Sequence, residues 1–119
     1  MKTTITEYIT KSSQLQWMPL NEDGIDTRGI SVKPLRYDDV QGRSPSILLK
    51  FEAGSSYPFH NHPGGEEIFV LKGSCFVNDV QLNEADYLYT PPGFKHAVRT
   101  ETGCEILFIV PQEVEILNE

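Results

Sequence analysis

Apolar and polar residues alternate in short runs along this chain, and glycine, proline, asparagine or aspartate separates most of the runs. Alternation with a period of two is typical of a β-strand with one buried face, and no stretch has the longer period of an amphipathic helix. The pattern predicts strands at residues 3–10, 15–20, 30–37, 46–51, 66–72, 74–77, 80–82, 86–90, 96–100 and 104–110. Many short strands joined by such turns indicate one all-β domain, either a sandwich or a barrel.

Three local features refine this prediction. Pro34 interrupts the third strand, which suits an edge strand or a bulge because proline cannot donate a ladder hydrogen bond. Asn78 and Asp79 lie between the sixth and seventh strands and predict a two-residue hairpin turn. The last strand is apolar on both faces except at Glu105, so we expect it to lie between two sheets or under a partner subunit. Polar, turn-rich stretches predict loops at residues 21–29 and 38–45.

The length and charge of the chain limit its functions. At 119 residues we expect a single domain over 1–119, with N-terminal strands and a loop in residues 1–29 and a core in residues 46–110. The formal net charge of −7 argues against nucleic acid and anionic membranes as partners, because both bind basic surfaces. No apolar run approaches the roughly 20 residues of a transmembrane helix.

The N-terminus and the cysteines bear on the cellular compartment. The first residues contain no long apolar core and no cleavage site, so we expect no signal peptide. Cys75 and Cys104 are too few for a disulfide scaffold, and neither lies in a C-x-x-C pair. We therefore expect a cytoplasmic protein with both thiols free.

Candidate metal ligands are concentrated in residues 54–73 and 85–100, which contain all three histidines of the chain. His60 and His62 are two residues apart, so on a strand they point to the same face. A bend at Pro63, Gly64 and Gly65 can bring a following carboxylate to the same point. Imidazole and carboxylate groups together are ligands for a divalent metal, whereas isolated histidines in a loop are often only surface residues.

His96 and one of two glutamates complete the candidate site. His96 follows the turn at Pro91-Pro92-Gly93 and enters the next strand. Glu66 and Glu67 are neighbours on a strand and face opposite ways, so only one of them can be a ligand. Three neutral imidazoles and one carboxylate leave a divalent ion with a net charge near +1, and two positions of a six-coordinate sphere stay open.

These two stretches resemble the paired motifs of the cupin superfamily. The first has the form G-x5-H-x-H-x3-E-x6-G, and it is matched by Gly54, His60, His62, Glu66 and Gly73. The second has the form G-x5-P-x-G-x2-H-x3-N, and it is matched by Pro91, Gly93 and His96. Ala85 stands in place of its leading glycine and Thr100 in place of its asparagine, and neither position is a metal ligand in the family. The resemblance implies that Glu66 rather than Glu67 is the fourth ligand.

The residue sequence of the first motif, H-P-G-G-E-E-I-F-V-L-K-G, is similar to that of a narrower subgroup of the superfamily. That subgroup includes the cupin domain of zinc-binding anti-sigma factors and the acetylacetone-cleaving dioxygenases. The resemblance implies a small β-barrel with jelly-roll topology, a metal inside the barrel mouth and frequently a homodimer. Anti-sigma factors contain a separate helical domain that binds the sigma factor. The pattern of this sequence predicts no such domain, so we do not expect sigma-factor regulation.

Several other residues have two interpretations. Five aromatic residues near the motifs line either a substrate pocket or the barrel core and a dimer interface; they are Tyr57, Phe59, Tyr87, Tyr89 and Phe94. Lys95 and Arg99 flank His96 and either attract an anionic substrate or are simply solvated. Cys104 is predicted to pack as a small apolar residue, because nothing near it in sequence lowers the pKa of its thiol.

These observations leave two functions of different classes. The first is a non-haem, metal-dependent dioxygenase acting on a small β-diketone-like carbonyl compound. The second is a cupin that binds a metal and a small ligand without turnover, and a metal-dependent isomerase is a further alternative. Ligand types do not select the metal, since histidine and carboxylate suit iron, zinc, manganese, nickel and copper alike.

Overall fold

Two antiparallel sheets packed face to face form the computed structural model, which describes residues 3–117. The strands are β1 Met18–Pro19, β2 Ile30–Asp38, β3 Arg43–Phe51, β4 Ser56–Asn61, β5 Glu66–Gly73, β6 Cys75–Val77, β7 Val80–Leu82, β8 Tyr87–Thr90, β9 His96–Arg99, β10 Cys104–Ile109 and β11 Glu115–Ile116. Their order is β1-β2-β3-β10-β5-β8 in one sheet and β11-β4-β9-β6-β7 in the other. The predicted all-β fold, a small jelly-roll barrel, is confirmed.

The core lies between the sheets, where alternate side chains of each strand point inward. In β10 the inward residues Ile106 and Phe108 are buried, whereas Leu107 between them is only partly covered. Ile68 and Val70 of β5 and Val98 of β9 are likewise buried. Each such side chain contributes about 1.5–3 kcal/mol through removal from water, so the period-two pattern determines which face of each sheet turns inward.

The position of β10 bears on the prediction that this strand lies either between two sheets or under a partner subunit. It pairs with β3 on one side and β5 on the other, so it is central in its sheet. Its inner face turns towards the second sheet. The outward side chains Glu105, Leu107 and Ile109 are only partly covered by the described residues, so the outer face is not sandwiched.

The turn and bulge predictions are confirmed. Asn78 and Asp79 have φ values of 46° and 68° and join β6 to β7, as a hairpin turn with two left-handed residues requires. The Asn78 side chain accepts a hydrogen bond from the Ala97 amide at 3.0 Å, which ties the turn to β9. The β2–β3 register shifts between Pro34 and Arg36, which is the bulge expected at proline.

The prediction of a strand at residues 3–10 is wrong. Ile5–Tyr8 forms a short 3-10 helix, and a second one follows at Ser12–Gln14. The Glu7 carboxylate accepts hydrogen bonds from the amides of Thr3 and Thr4 at 2.9 and 3.1 Å, so these donors are satisfied locally instead of in a sheet. Of the predicted strand at 15–20, only the two residues of β1 pair with β2.

One loop boundary and one strand also differ from the prediction. The loop predicted at 38–45 is shorter, since β3 already begins at Arg43 and the Gly42 amide closes a turn on the Asp38 carbonyl at 2.8 Å. The strand β11 was not predicted, and it pairs with β4 opposite Asn61 and His60. Residues 1, 2, 118 and 119 of the predicted domain lie outside the described part. Within residues 3–117, no helix has the length and hydrophobicity needed to cross a bilayer.

Candidate metal centre

Four buried side chains from three strand ends converge inside the barrel. His60 lies on β4, His62 follows directly after that strand, Glu66 begins β5, and His96 begins β9. Antiparallel pairing of β4 with β9 sets His60 opposite His96. One nitrogen or oxygen atom from each of the four residues lies within 4.8 Å of the others. The structure therefore brings together all four residues that the sequence nominated.

A tight turn carries the chain from His62 to Glu66. The Gly65 amide donates to the His62 carbonyl at 2.9 Å, and Gly65 has a φ of +80°. A Cβ atom there would lie 3.1 Å from the Thr90 carbonyl oxygen, so a larger residue would be strained in both conformation and space. Glycine thus permits the bend that returns the chain to the site one residue later.

Several polar atoms of the site lie close to one another but have no hydrogen-bond partner. His62 Nε2 lies 2.8 Å from Glu66 Oε2, and His96 Nε2 lies 3.2 Å from Glu66 Oε1. Although these distances are short, Nε2 of His62, Nε2 of His96 and Oε1 of Glu66 lack hydrogen-bond geometry to any described residue. Their side chains are 4% exposed or less. Buried polar atoms aimed at a common point without partners are what a metal ion would satisfy, so the donor set fits a divalent cation.

His60 is held in the form that can bind a metal. Its Nδ1 lies 2.6 Å from the Pro58 carbonyl oxygen, which can only accept, so the proton is on Nδ1 and the lone pair is on Nε2. Burial, together with the neighbouring His96 and His62, lowers the pKa of His60 to about 4, although the hydrogen bond to Pro58 and the Glu66 charge partly raise it. His60 is therefore neutral at physiological pH.

Glu66 and Glu67 have separate environments, as their opposite orientation on β5 requires. Burial raises the pKa of Glu66, but its contacts with His62 and His96 outweigh burial and hold that pKa below the usual value. Glu66 is therefore a carboxylate anion. Glu67 faces outward, where its Oε1 accepts a hydrogen bond from the Tyr87 hydroxyl at 2.7 Å.

A cavity of about 510 Å³ adjoins His60 and Glu66. Most of its wall is apolar and includes Leu20, Ile47, Leu49, Phe51, Val98, Phe108, Val110 and Ile116. Four charged side chains also line it, namely Glu22, Asp23, Arg43 and Glu113. This volume suits a small organic ligand beside His60 and Glu66.

The aromatic residues nominated from the sequence have different locations. Tyr57 lines the large cavity and stacks edge-on against His60, with ring centroids 5.0 Å apart. Tyr89 and Phe94 line a second, smaller cavity of about 360 Å³ on the side of His96. Phe59 and Tyr87 line neither of these cavities.

The charged residues beside His96 do not line either cavity. The Arg99 guanidinium lies on the surface, 3.4 Å from Asp79 and 4.2 Å above the Phe76 ring. Lys95 is also exposed. Cys104 is buried, as predicted. Its thiol contacts Cys75, which raises the pKa of Cys75 and, contrary to the expectation from sequence, lowers the pKa of Cys104.

Sequence reasoning missed the residues that close the cavity from outside the two motifs. Glu22 and Asp23 lie in the loop after β1, and Glu113 precedes β11. Arg43 donates from Nη1 to the Val110 carbonyl at 2.7 Å. No local pattern identifies these residues, because they reach the cavity only when segments far apart in sequence come together.

In the metal-free protein, we expect acid to destabilise the fold between pH 6.5 and 4. An unfolded His60 takes up a proton near its ordinary pKa of 6.5, but the folded one does so only near 4. Because the unfolded state binds more protons between these values, the free energy of unfolding falls by about 1.4 kcal/mol per pH unit, about 3 kcal/mol in total. Urea unfolding with a chelator at several pH values measures this loss. A constant free energy down to pH 4 would contradict it.

Comparison with known proteins agrees with this geometry. The family model for the ChrR cupin-like domain matches residues 6–115. The chain is 37% identical to the Arabidopsis thaliana DNA damage-repair/toleration protein DRT102 over 72 residues, which are 56% of this chain and 23% of that protein. The chain spans between 18% and 30% of the length of the curated relatives that it matches.

Solved structures share the fold at low sequence identity. An acetylacetone dioxygenase-like protein from Methylibium petroleiphilum PM1 has a TM-score of 0.80 and 22% identity, with 99% of this chain and 85% of that chain covered. A chain in the Rhodobacter sphaeroides complex of SigE with the anti-sigma ChrR has a TM-score of 0.63 and 19% identity, covering 82% of this chain and 50% of that one. At such identities the likeness establishes the fold alone.

Proposed function

The chain belongs to the ChrR cupin-like domain family, and on that premise we propose that it binds one divalent metal ion through His60, His62, Glu66 and His96. Three neutral imidazoles and one carboxylate are a donor set for iron, zinc, manganese, nickel or copper. The unpartnered nitrogen and oxygen atoms within the barrel support this assignment. A bound ion would supply a Lewis acid and, where it is redox-active, electrons for dioxygen.

We propose further that the protein is a metal-dependent dioxygenase for a small β-diketone-like compound. The observation that carries this proposal is the apolar cavity of about 510 Å³ that reaches His60 and Glu66. Its apolar wall excludes water and positions a small carbonyl compound beside the ligands. The name of the structurally similar acetylacetone dioxygenase-like protein adds support for the substrate class.

The chain's own residues have defined tasks in this proposal. The Pro58 carbonyl orients the His60 ring, and the buried Glu66 carboxylate reduces the positive charge at the site. Buried walls such as Val98 and Phe108 keep the ligand in a dry environment. A sugar isomerase would require several free hydrogen-bond donors near the ligands. Among the described residues lining this cavity, Arg43 already donates to the Val110 carbonyl and the Tyr57 hydroxyl to Glu22.

The test combines elemental analysis with oxygen uptake. After anaerobic loading with Fe²⁺, we expect close to one iron per chain and iron-dependent oxygen consumption with acetylacetone. Protein loaded with Zn²⁺ is the matched control, since zinc occupies the same donors without redox chemistry. One metal per chain with no uptake for any β-dicarbonyl would favour a non-catalytic binding cupin, and no metal after loading would contradict the metal site itself.

A homodimer is the expected assembly, and the outer face of the larger sheet is where we propose that it forms. Leu107, Phe69 and Tyr87 lie in register across β10, β5 and β8, and Phe69 and Tyr87 are exposed. We expect Phe69→Lys to convert a dimer to a monomer in light scattering, because a charge would be buried at the interface. Val40→Lys, at a residue that is 97% exposed on the β2–β3 turn, is the control. A monomeric parent protein would contradict this proposal.

A further inference from the structure

The charged side of the large cavity contains a carboxylate that belongs to neither metal motif. Glu22 lies in the loop between β1 and β2 and is half-buried. Its Oε2 accepts a hydrogen bond from the Tyr57 hydroxyl at 2.6 Å, across 35 positions of sequence. Tyr57 is buried and stacks edge-on against His60, so one phenol ring separates this carboxylate from the metal-site histidines.

The loop that carries Glu22 is held firmly at its base. The Leu20 amide donates to the Ile30 carbonyl at 3.0 Å, and the Thr27 hydroxyl donates to the Leu20 carbonyl. Within the loop, the Ile25 amide donates to the Glu22 carbonyl at 3.3 Å. Leu20 and Ile25 themselves line the cavity, so the loop is one of its walls and Glu22 has a defined position in it.

The charges around the cavity favour a neutral ligand. Among the described residues, Arg43 is the only basic side chain lining the cavity, whereas four acidic side chains line it, namely Glu22, Asp23, Glu66 and Glu113. The Arg43 guanidinium already donates to Val110 and to Gln41, at 2.7 and 3.4 Å. An anionic ligand would meet more negative than positive charge on entry, whereas an uncharged carbon acid would not be repelled.

From these observations we propose that Glu22 is the catalytic base that deprotonates a neutral β-dicarbonyl ligand, and that Tyr57 is its positioning residue. This inference rests on the proposed function. In the step, the C–H bond between the two carbonyl groups breaks, and the proton forms a new O–H bond on the Glu22 carboxylate. The electron pair stays on the ligand as a delocalised enolate, so no oxidant is consumed. A carboxylate has two oxygens, and Tyr57 engages only Oε2.

The experiment follows exchange of the central acetylacetone protons in D₂O by proton NMR, with Zn²⁺-loaded protein so that no oxidation occurs. Buffer and metal-free protein give the background rate. We expect Glu22→Gln to lower the protein-catalysed exchange by about 100-fold, the usual scale for loss of a general base. The glutamine carbonyl still accepts from the Tyr57 hydroxyl, so anchoring of the loop is retained while the base is lost.

Three further variants separate catalysis from a purely structural role. Tyr57→Phe removes the hydrogen bond but leaves the carboxylate, and we expect a smaller decrease of about 10-fold. Asp26→Asn removes a charge from the same loop, where Asp26 pairs with exposed Arg28 at 2.8 Å, and is expected to keep the parent rate. In Glu22→Ala, added formate is expected to restore exchange, because a small carboxylate can occupy the vacated space.

The outcomes distinguish this inference from the function on which it rests. Exchange by the parent protein that Glu22→Gln retains in full would overturn the role of Glu22 and leave the proposed function standing. Zn²⁺ bound at one per chain with no acceleration by the parent protein would also overturn the role of Glu22, and the oxygen uptake of the Fe²⁺-loaded protein would then decide the proposed function independently. Loss of exchange in Glu22→Gln with unchanged zinc content and formate rescue of Glu22→Ala would establish the base.

Discussion

Replacing His96 with alanine is expected to lower the affinity for Zn²⁺ or Fe²⁺ by more than about 100-fold, so that stoichiometric binding is lost after dialysis. Loss of a group that only orients a ligand typically costs 10–100-fold in metal affinity, and loss of the ligand itself costs more. The β fold is expected to persist, because the deletion removes a ring whose Nε2 has no hydrogen-bond partner and leaves the apolar core of Ile68 and Ile106 intact. Elemental analysis and competition with a chelating dye measure the binding.

A packing control on the same strand makes the His96 result specific. Val98 is two residues along β9, is 2% exposed and points inward as His96 does. Val98→Ala therefore leaves a comparable defect in the same strand without removing a donor atom, and it should bind metal with the affinity of the parent protein. If His96→Ala retained full occupancy with unchanged affinity, a site with four ligands would be untenable.

The second large effect is a difference in metal affinity between substitutions of two adjacent glutamates. Glu66→Gln should lower metal affinity by at least about 10-fold, because a neutral amide no longer offsets the charge of a divalent ion among three neutral imidazoles. Glu67→Gln should leave the affinity within about 2-fold, since Glu67 faces outward and its carboxylate is engaged by Tyr87. The two variants make the same chemical change one residue apart. Isothermal titration of Zn²⁺ into each metal-free variant measures the difference.

The results of this pair have distinct meanings. A large loss in Glu66→Gln alone would support coordination by the carboxylate that lies 2.8 Å from His62 and 3.2 Å from His96. Equal affinities in both variants, with loss only in His96→Ala, would indicate a site of three histidines. A larger loss in Glu67→Gln would contradict the orientation of β5.

Much of this site was readable from local spacing. His60 and His62 share a strand face because side chains alternate, and Glu66 opens the next strand because Gly65 permits a left-handed turn. The hairpin at Asn78 and Asp79 follows in the same way from residues that tolerate positive φ. These features depend on interactions within a few residues of the chain, so the order of amino acids is sufficient to predict them.

One error arose from a local side-chain interaction that outweighs strand preference, and another from a partner elsewhere in the chain. Residues 3–10 are rich in β-branched side chains, yet they form a 3-10 helix at Ile5–Tyr8 because Glu7 satisfies the first amides. Strand β11 contains only two paired residues and forms because β4 offers an edge beside His60. A strand of two residues has no pattern of its own, so its pairing depends on the rest of the sheet.

The sequence by itself determined the all-β class, the hairpin turn and the three candidate histidines, because periodicity and turn chemistry are local properties, and the family resemblance added Glu66. Only the tertiary structure decided what those residues adjoin. The hydrogen bond between Tyr57 and Glu22 joins residues 35 positions apart in sequence. The cavity wall combines residues that are even further apart, from Leu20 to Ile116. Such contacts arise when two sheets close on one core, and their specificity comes from packing that no window of sequence contains.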